Sequence, residues 1–62
     1  ALTGREIEVL RLIVHGYTNV QIGKQLSISV RTVEYHRSNI MGKLGMETRD
    51  QLVKYAVDHR FI

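Results

Sequence analysis

Apolar residues recur along this chain at the three-and-four spacing of helices, in four blocks parted by short polar joints. The longest block lies between Ser29 and Gly45. Ser29 suits an N-cap, whose hydroxyl accepts from a backbone N–H of the first turn. Gly45 suits the residue just past a helix, which takes positive φ without a Cβ clash. A helix of about fifteen residues fits between them, over residues 30–44. At about 100° per residue, Val33, His36, Ile40 and Leu44 share one side. Arg31, Glu34, Tyr35, Ser38 and Gly42 share the other, with Arg37 and Asn39 on the flanks. This second side is small, polar or basic, with one aromatic. A merely solvated helix more often carries several Lys and Glu there, so the face reads as a surface shaped to enter a groove.

The other blocks are shorter. Thr3 with Glu6 makes a capping box, in which side chain and backbone N–H of both residues satisfy each other. Leu2 stands ready to staple that first turn. The helix it starts runs to about His15, buries Val9, Leu10 and Ile13, with Leu12 and Val14 flanking, and stops at Gly16. Thr18 with Gln21 repeats the box and opens a short helix over residues 19–26, with Ile22 and Leu26 inward. Gly23 inside it costs roughly 1 kcal/mol against Ala, which points to another helix approaching closely there. Ile28 plugs inward from the turn Leu26-Ser27-Ile28-Ser29. Two helices crossing at Ile22, Gly23, Leu26, Ile28 and Val33 make a helix-turn-helix unit over about residues 19–38. Thr48 with Gln51 forms a third box and starts a last helix at Arg49, which runs to about Asp58. Leu52, Tyr55 and Ala56 form its inner stripe, and Val53 and Val57 widen the apolar surface to one side. Arg60-Phe61-Ile62 trails off, with Phe61 expected to fold back on the core. The fold class is therefore all-α, with four helices.

Composition narrows the function. A chain of 62 residues holds one domain. A domain of that size buries only about 60% of its unfolded surface, so its core is thin. It has no Cys, so neither a disulfide nor a thiolate metal site helps it, and the absence suits a reducing compartment. No apolar run approaches the roughly 18 residues of a membrane span, and no stretch reads as a signal peptide. The chain opens at Ala1 without a Met, as expected of a fragment of a longer protein. A net charge of +3 and a pI near 9.7 favour a polyanionic partner. The absence of Pro and a 44% hydrophobic content suit a folded helical domain.

No catalytic constellation appears. The histidines stand at 15, 36 and 59, and no pair has the i, i+4 spacing of a helical zinc site. Neither an enzyme, nor a cofactor, nor a metal is expected. His36 reads first as a boundary histidine packed under the long helix, and second as a phosphate contact. The outward face offers specific chemistry to a DNA major groove, where each base pair shows its own donor and acceptor pattern. Arg31 can reach phosphate or the O6/N7 edge of guanine. Glu34 can accept from cytosine N4, and tolerates nearby phosphates only if aimed at a base or held by Arg31 or Arg37. Tyr35 offers a ring to a thymine methyl, and Ser38 allows close approach. Phosphate contacts, which position the protein, fall to Thr18 and Asn19 at a helix N-terminus and to Thr32, Arg37, Asn39 and Lys43. Lys24 acts at longer range.

The run T-V-E-Y-H-R-S-N-I-M-G-K-L at 32–44, with L-T-G-R-E at 2–6 and T-N-V-Q-I-G at 18–23, resembles the LuxR/FixJ-type DNA-binding domain. The three pieces together span almost the whole chain, and R-T-V-E-x-H-R is most similar to the FixJ branch of response regulators. The resemblance implies sequence-specific binding to double-stranded DNA by the output domain of a cytoplasmic bacterial transcription regulator. It also implies an upstream receiver or ligand-binding domain, a homodimer on DNA through Val53 and Val57 of the last helix, and contact with RNA polymerase. In this resemblance Arg5 and Glu6 tie the first helix to the rest. Two positions depart from the common pattern: Glu34 stands where many relatives have Lys, and Val20 where a polar residue is frequent. The first alters the sequence read, and the second removes one phosphate contact. The rival readings are a helical protein-interaction module using the valine surface, and a unit like the fourth region of a sigma factor.

Overall fold

Four helices form where the caps put them: α1 at Gly4–Val14, α2 at Asn19–Leu26, α3 at Val30–Leu44 and α4 at Arg49–Asp58. The computed structural model describes residues 1–61, so Ile62, the end of the trailing segment, lies outside the described residues. No strand occurs among the described residues. Thr3, Thr18 and Thr48 each close a full capping box with Glu6, Gln21 and Gln51, and Ser29 accepts from the Thr32 N–H at 3.1 Å. Each cap contributes about 1 kcal/mol, which matters in a domain with so thin a core.

The C-terminal ends share one geometry. A backbone N–H two or three residues past each helix donates to the carbonyl five residues back: Tyr17 to Leu12, Ile28 to Gly23, Met46 to Met41, Phe61 to Ala56, at 2.8–3.0 Å. Such a closure needs a pivot at positive φ. Gly16 (96°) and Gly45 (64°) supply it as their type allows, but Ser27 and Arg60 supply it too, both at 59°. A residue with a Cβ takes that conformation at a cost of about 1 kcal/mol, so the local bonds and packing hold it.

Val9, Leu10, Ile13, Ile22, Val33, Ile40 and Leu52 form one core cluster drawn from all four helices, and Ala56 is buried with them. Three of the seven come from α1, which packs against α2, α3 and α4. Phe61 folds back onto this core as expected, beside Tyr55, with the Arg11 guanidinium 5.9 Å above its ring. Leu2, Leu26 and Ile28 pack against it from the chain start and the turn.

The α2–α3 crossing differs in one respect from the sequence reading. Gly23 is buried, but what it makes room for is a backbone carbonyl in the turn, not a neighbouring helix: a Cβ on Gly23 would stand 2.7 Å from Ile28 O. The Ile28 N–H bonds to Gly23 O at 2.9 Å, so the turn is folded back over that residue. Gly42, by contrast, has open space where a Cβ would go. Gly23→Ala is therefore expected to lower stability by about 1–3 kcal/mol, and Gly42→Ala to raise it by about 1 kcal/mol. Urea or thermal unfolding of the two variants checks the pair of signs.

Candidate nucleic-acid interface

α3 presents the two faces its spacing anticipates. Val33 and Ile40 are fully buried and His36 and Leu44 half-buried, while Arg31, Glu34, Tyr35, Ser38 and Gly42 are all exposed. Tyr35 stands 64% exposed, and the His36 ring meets it edge-on at 5.8 Å and 61°. His36 is thus a boundary histidine that also braces the outward aromatic. Thr32, Arg37 and Asn39 lie half-buried on the flanks, and the Thr32 hydroxyl is 2.9 Å from that of Ser29.

α2 packs against α3 through the turn that joins them. The capping box uses the backbone N–H groups of Thr18 and Gln21. Those of Asn19 and Val20 keep no protein acceptor among the described residues, and neither do those of Val30 and Arg31 at the start of α3. α2 and α3 thus each begin with unpaired donors and the positive end of a helix dipole. Val20, 53% exposed, brings no polar side chain, but its backbone N–H remains available.

Charge gathers in the same unit. Residues 19–44 carry Lys24, Arg31, Arg37 and Lys43 against the single carboxylate of Glu34, while acids and bases balance over the rest of the chain. The whole net charge of +3 therefore lies in the helix-turn-helix and the remainder of α3. Among the described residues Glu34 has no ion pair, so neither Arg31 nor Arg37 holds it. Among the described residues, the one pair within 4.0 Å joins the Lys43 ammonium to Glu6 at 2.8 Å.

That pair was not evident in the sequence. Lys43, set among the phosphate candidates, is committed to tying α3 to α1 across 37 positions of sequence. Glu6 is 4% exposed, and its carboxylate also accepts from the Thr3 N–H at 2.8 Å. The Lys43 hydrogen bond first, then the Thr3 backbone, hold its carboxyl below the ordinary glutamate value, against the opposing effect of burial. Arg49 makes a second tie, donating to the Ile13 carbonyl at 3.2 Å and so placing a cation at the C-terminal end of α1. Arg5 is exposed and takes no part in these ties. On α4, Leu52 and Ala56 face the core and Val57 is 55% exposed, but Val53 is half-buried, so the apolar flank is narrower than the sequence suggests. Elsewhere, no group of three acidic, His or Cys residues capable of holding a metal occurs among the described residues. No described helix is long and apolar enough to cross a membrane.

Comparison with known proteins gives this geometry a family. The profile of bacterial regulatory proteins, luxR family, matches residues 1–56. The chain belongs to that family. It is 44% identical over 61 residues to the oxygen regulatory protein NreC of Staphylococcus aureus, covering 98% of this chain and 28% of that one. It superposes on one chain of a structure of the VqmA dimer of Vibrio cholerae, described among LuxR-type receptors, with a TM-score of 0.88 and 38% identity over 98% of this chain and 28% of that one. A structure of VqmA bound to DPO gives a TM-score of 0.87 at 38% identity, over 97% of this chain and 30% of that one. The chain thus spans about 28% of the length of the curated relatives it matches. It is a LuxR-type helix-turn-helix DNA-binding domain of a regulator, as the three sequence pieces implied.

The Glu6–Lys43 tie makes stability depend on pH. Glu6 titrates lower in the folded chain than in the unfolded one, so its contribution is complete above the ordinary glutamate value of about 4.3. It is lost as pH falls through the lower folded value. Glu6→Gln is expected to lower the melting temperature at neutral pH and to flatten its fall on acidification. Melting curves of parent and variant across the acidic range check both effects.

Proposed function

We propose that the chain binds double-stranded DNA sequence-specifically, as the output domain of a bacterial response regulator, with α3 in the major groove. The observation that carries this reading is the outward face of α3. It is exposed, small and hydrogen-bonding, and the unit that presents it holds all of the chain's net charge. B-DNA's major groove admits one α-helix, and the N-terminal residues of a recognition helix reach the base edges. Arg31, Glu34, Tyr35 and Ser38 are assigned to bases. Thr18, Asn19, Thr32, Arg37 and Asn39 are assigned to phosphates, helped by the unpaired N–H groups of Asn19 and Val20. Lys43 stands apart. Glu6 already holds its ammonium, so a phosphate meets it only as a second partner, and its chief action is to fix α3 on α1.

NreC is named an oxygen regulatory protein, and VqmA is titled a LuxR-type receptor. By that analogy the rest of this protein carries a receiver or ligand-binding domain that controls a cytoplasmic transcription factor, and RNA polymerase is a further partner. Two copies pair on DNA through α4, where Val57 is exposed beside half-buried Val53. So small a patch falls well below the roughly 1,200 Å² of a stable interface. The chain by itself is therefore mostly monomeric, and pairing is cooperative on two half-sites about one helical turn apart.

Gel shifts on duplex DNA test the reading. The logarithm of affinity should fall with the logarithm of salt at about −0.9 per phosphate neutralised, and Arg31→Ala and Arg37→Ala should weaken binding. An affinity flat from about 50 to 200 mM salt favours instead a protein-interaction module. Val57→Glu tests the pairing, since it places two carboxylates face to face across the two-fold axis. It should abolish cooperative binding to a palindromic site and leave half-site affinity unchanged. Unaltered palindrome binding would place the dimer contact elsewhere.

A further inference from the structure

We propose that Arg49, the first residue of α4, is a positioning residue for DNA binding: through the turn that joins α1 to α2 it sets where Thr18 and Asn19 stand against the phosphate backbone. The assignment rests on the DNA-binding reading above and adds a residue outside the helix-turn-helix. It starts from the turn itself. His15, Gly16, Tyr17 and Thr18 are four consecutive exposed residues, so no buried side chain anchors the chain there. α1 packs less extensively on α2 than on α3 or α4. The turn before α3 folds over Gly23, beyond the first turn of α2. The start of α2 therefore takes its place chiefly from the backbone that leads into it. There the His15 N–H donates to Arg11 O at 3.1 Å, that of Gly16 to Ile13 O at 3.0 Å and that of Tyr17 to Leu12 O at 3.0 Å, with Gly16 as pivot at φ 96°. Thr18, two residues past the pivot, caps α2 by accepting from the Gln21 N–H at 3.1 Å. A shift of the pivot is thus passed directly to the Thr18 hydroxyl and the Asn19 N–H.

One of these three acceptors is gripped from outside. The Arg49 guanidinium donates to Ile13 O at 3.2 Å, so that carbonyl, with its two lone pairs, takes Gly16 and Arg49 together. Among the described residues no other side chain of a different element hydrogen-bonds to residues 11–17. Arg49 itself stands on a capped and packed helix: Thr48 accepts from the Gln51 N–H at 3.2 Å, and Leu52, three residues on, is buried. The turn that delivers Thr18 and Asn19 is therefore fastened to α4 as well as to α1. Thr18 and Asn19 are uncharged. Their contact with a phosphate fixes the register of the duplex and adds affinity. It leaves the salt dependence alone, because that counts the phosphates neutralised by Lys and Arg. A guanidinium that touched a phosphate itself would steepen the dependence, so the two possible actions of Arg49 are separable.

Duplex affinity measured over a range of salt tests the proposal. Arg49→Met, which removes the donors and keeps an apolar stem, should weaken binding about fivefold at every salt concentration. Its log–log line should run parallel to the parent's, with the preferred sequence unchanged. The loss should shrink in an Asn19→Ala background, since both changes act on one contact. Citrulline at position 49, introduced by chemical synthesis, keeps the N–H groups without the charge and should restore most of the affinity. In the free chain, the Gly16 and Tyr17 amides of Arg49→Met should exchange faster with solvent deuterium, while that of Ile28 keeps its protection. A salt slope shallower by about 0.9, not restored by citrulline, makes Arg49 a phosphate contact and overturns the positioning role. Unchanged affinity in Arg49→Met overturns it too. Should that variant not fold, Arg49→Lys, which keeps the charge and loses the planar fork, should show the same parallel loss in smaller measure, and undiminished affinity there overturns the role. A parent that binds no duplex at low salt overturns the DNA-binding reading itself, and the assignment with it.

Discussion

The α2–α3 crossing depends on a hydrogen atom where every other residue has a carbon. At Gly23 the turn folds so far back that Ile28 O would lie 2.7 Å from a Cβ. The same carbonyl–amide closure that ends α2, Ile28 N–H to Gly23 O at 2.9 Å, brings the chain there, with Ser27 in the left-handed conformation as its pivot. Ser29 then caps α3 within two residues of that pivot. The direction in which α3 leaves the turn is thus set by three consecutive backbone requirements, before any core contact is counted. Ile22 and Val33, both fully buried, fill the angle from inside.

α1 is the base on which this crossing rests. It supplies Val9, Leu10 and Ile13 to the core and Glu6 to the pair with Lys43. Near the far end of α3, that pair adds a charged fastening to the apolar one. Arg49 does the same for α4 at the Ile13 carbonyl. A small domain with a thin core is held in this way by caps at both ends of every helix and by two long-range cations. Among the described residues the outward side chains of α3 make no hydrogen bond or ion pair, and Tyr35 alone has an aromatic neighbour, the edge of His36.

Much of this was legible in the sequence, because the signals are local. A Thr followed three residues later by Glu or Gln fixes a helix start within one turn, and the boundaries from Thr3, Thr18 and Thr48 agree with the structure. Gly16 and Gly45 likewise marked two ends. Ser27 and Arg60 did not, since neither residue type advertises positive φ. The Glu6–Lys43 pair escaped notice because it spans 37 positions and Glu6 already had a role in its cap. Arg49 escaped because its acceptor is a backbone carbonyl, which no side-chain pattern records. Gly23 was rightly read as a close approach, but which backbone approaches is a matter of how the turn closes. Val53, one of the two valines one turn apart by sequence, is partly covered in the fold, so of the two only Val57 stands exposed.

The central claim is that the exposed half of α3, together with the N-termini of α2 and α3, is the surface that meets DNA. A two-dimensional ¹H–¹⁵N spectrum of the labelled chain, recorded as a mixed-sequence duplex is added at low salt, tests it most directly. The amides of Asn19, Val20, Val30, Arg31, Glu34, Tyr35 and Ser38 should shift first and furthest, with those of α1 and of Leu52 to Ala56 nearly still. Shifts centred on α4 or on the α1 surface, with the α3 face unmoved, would contradict the account.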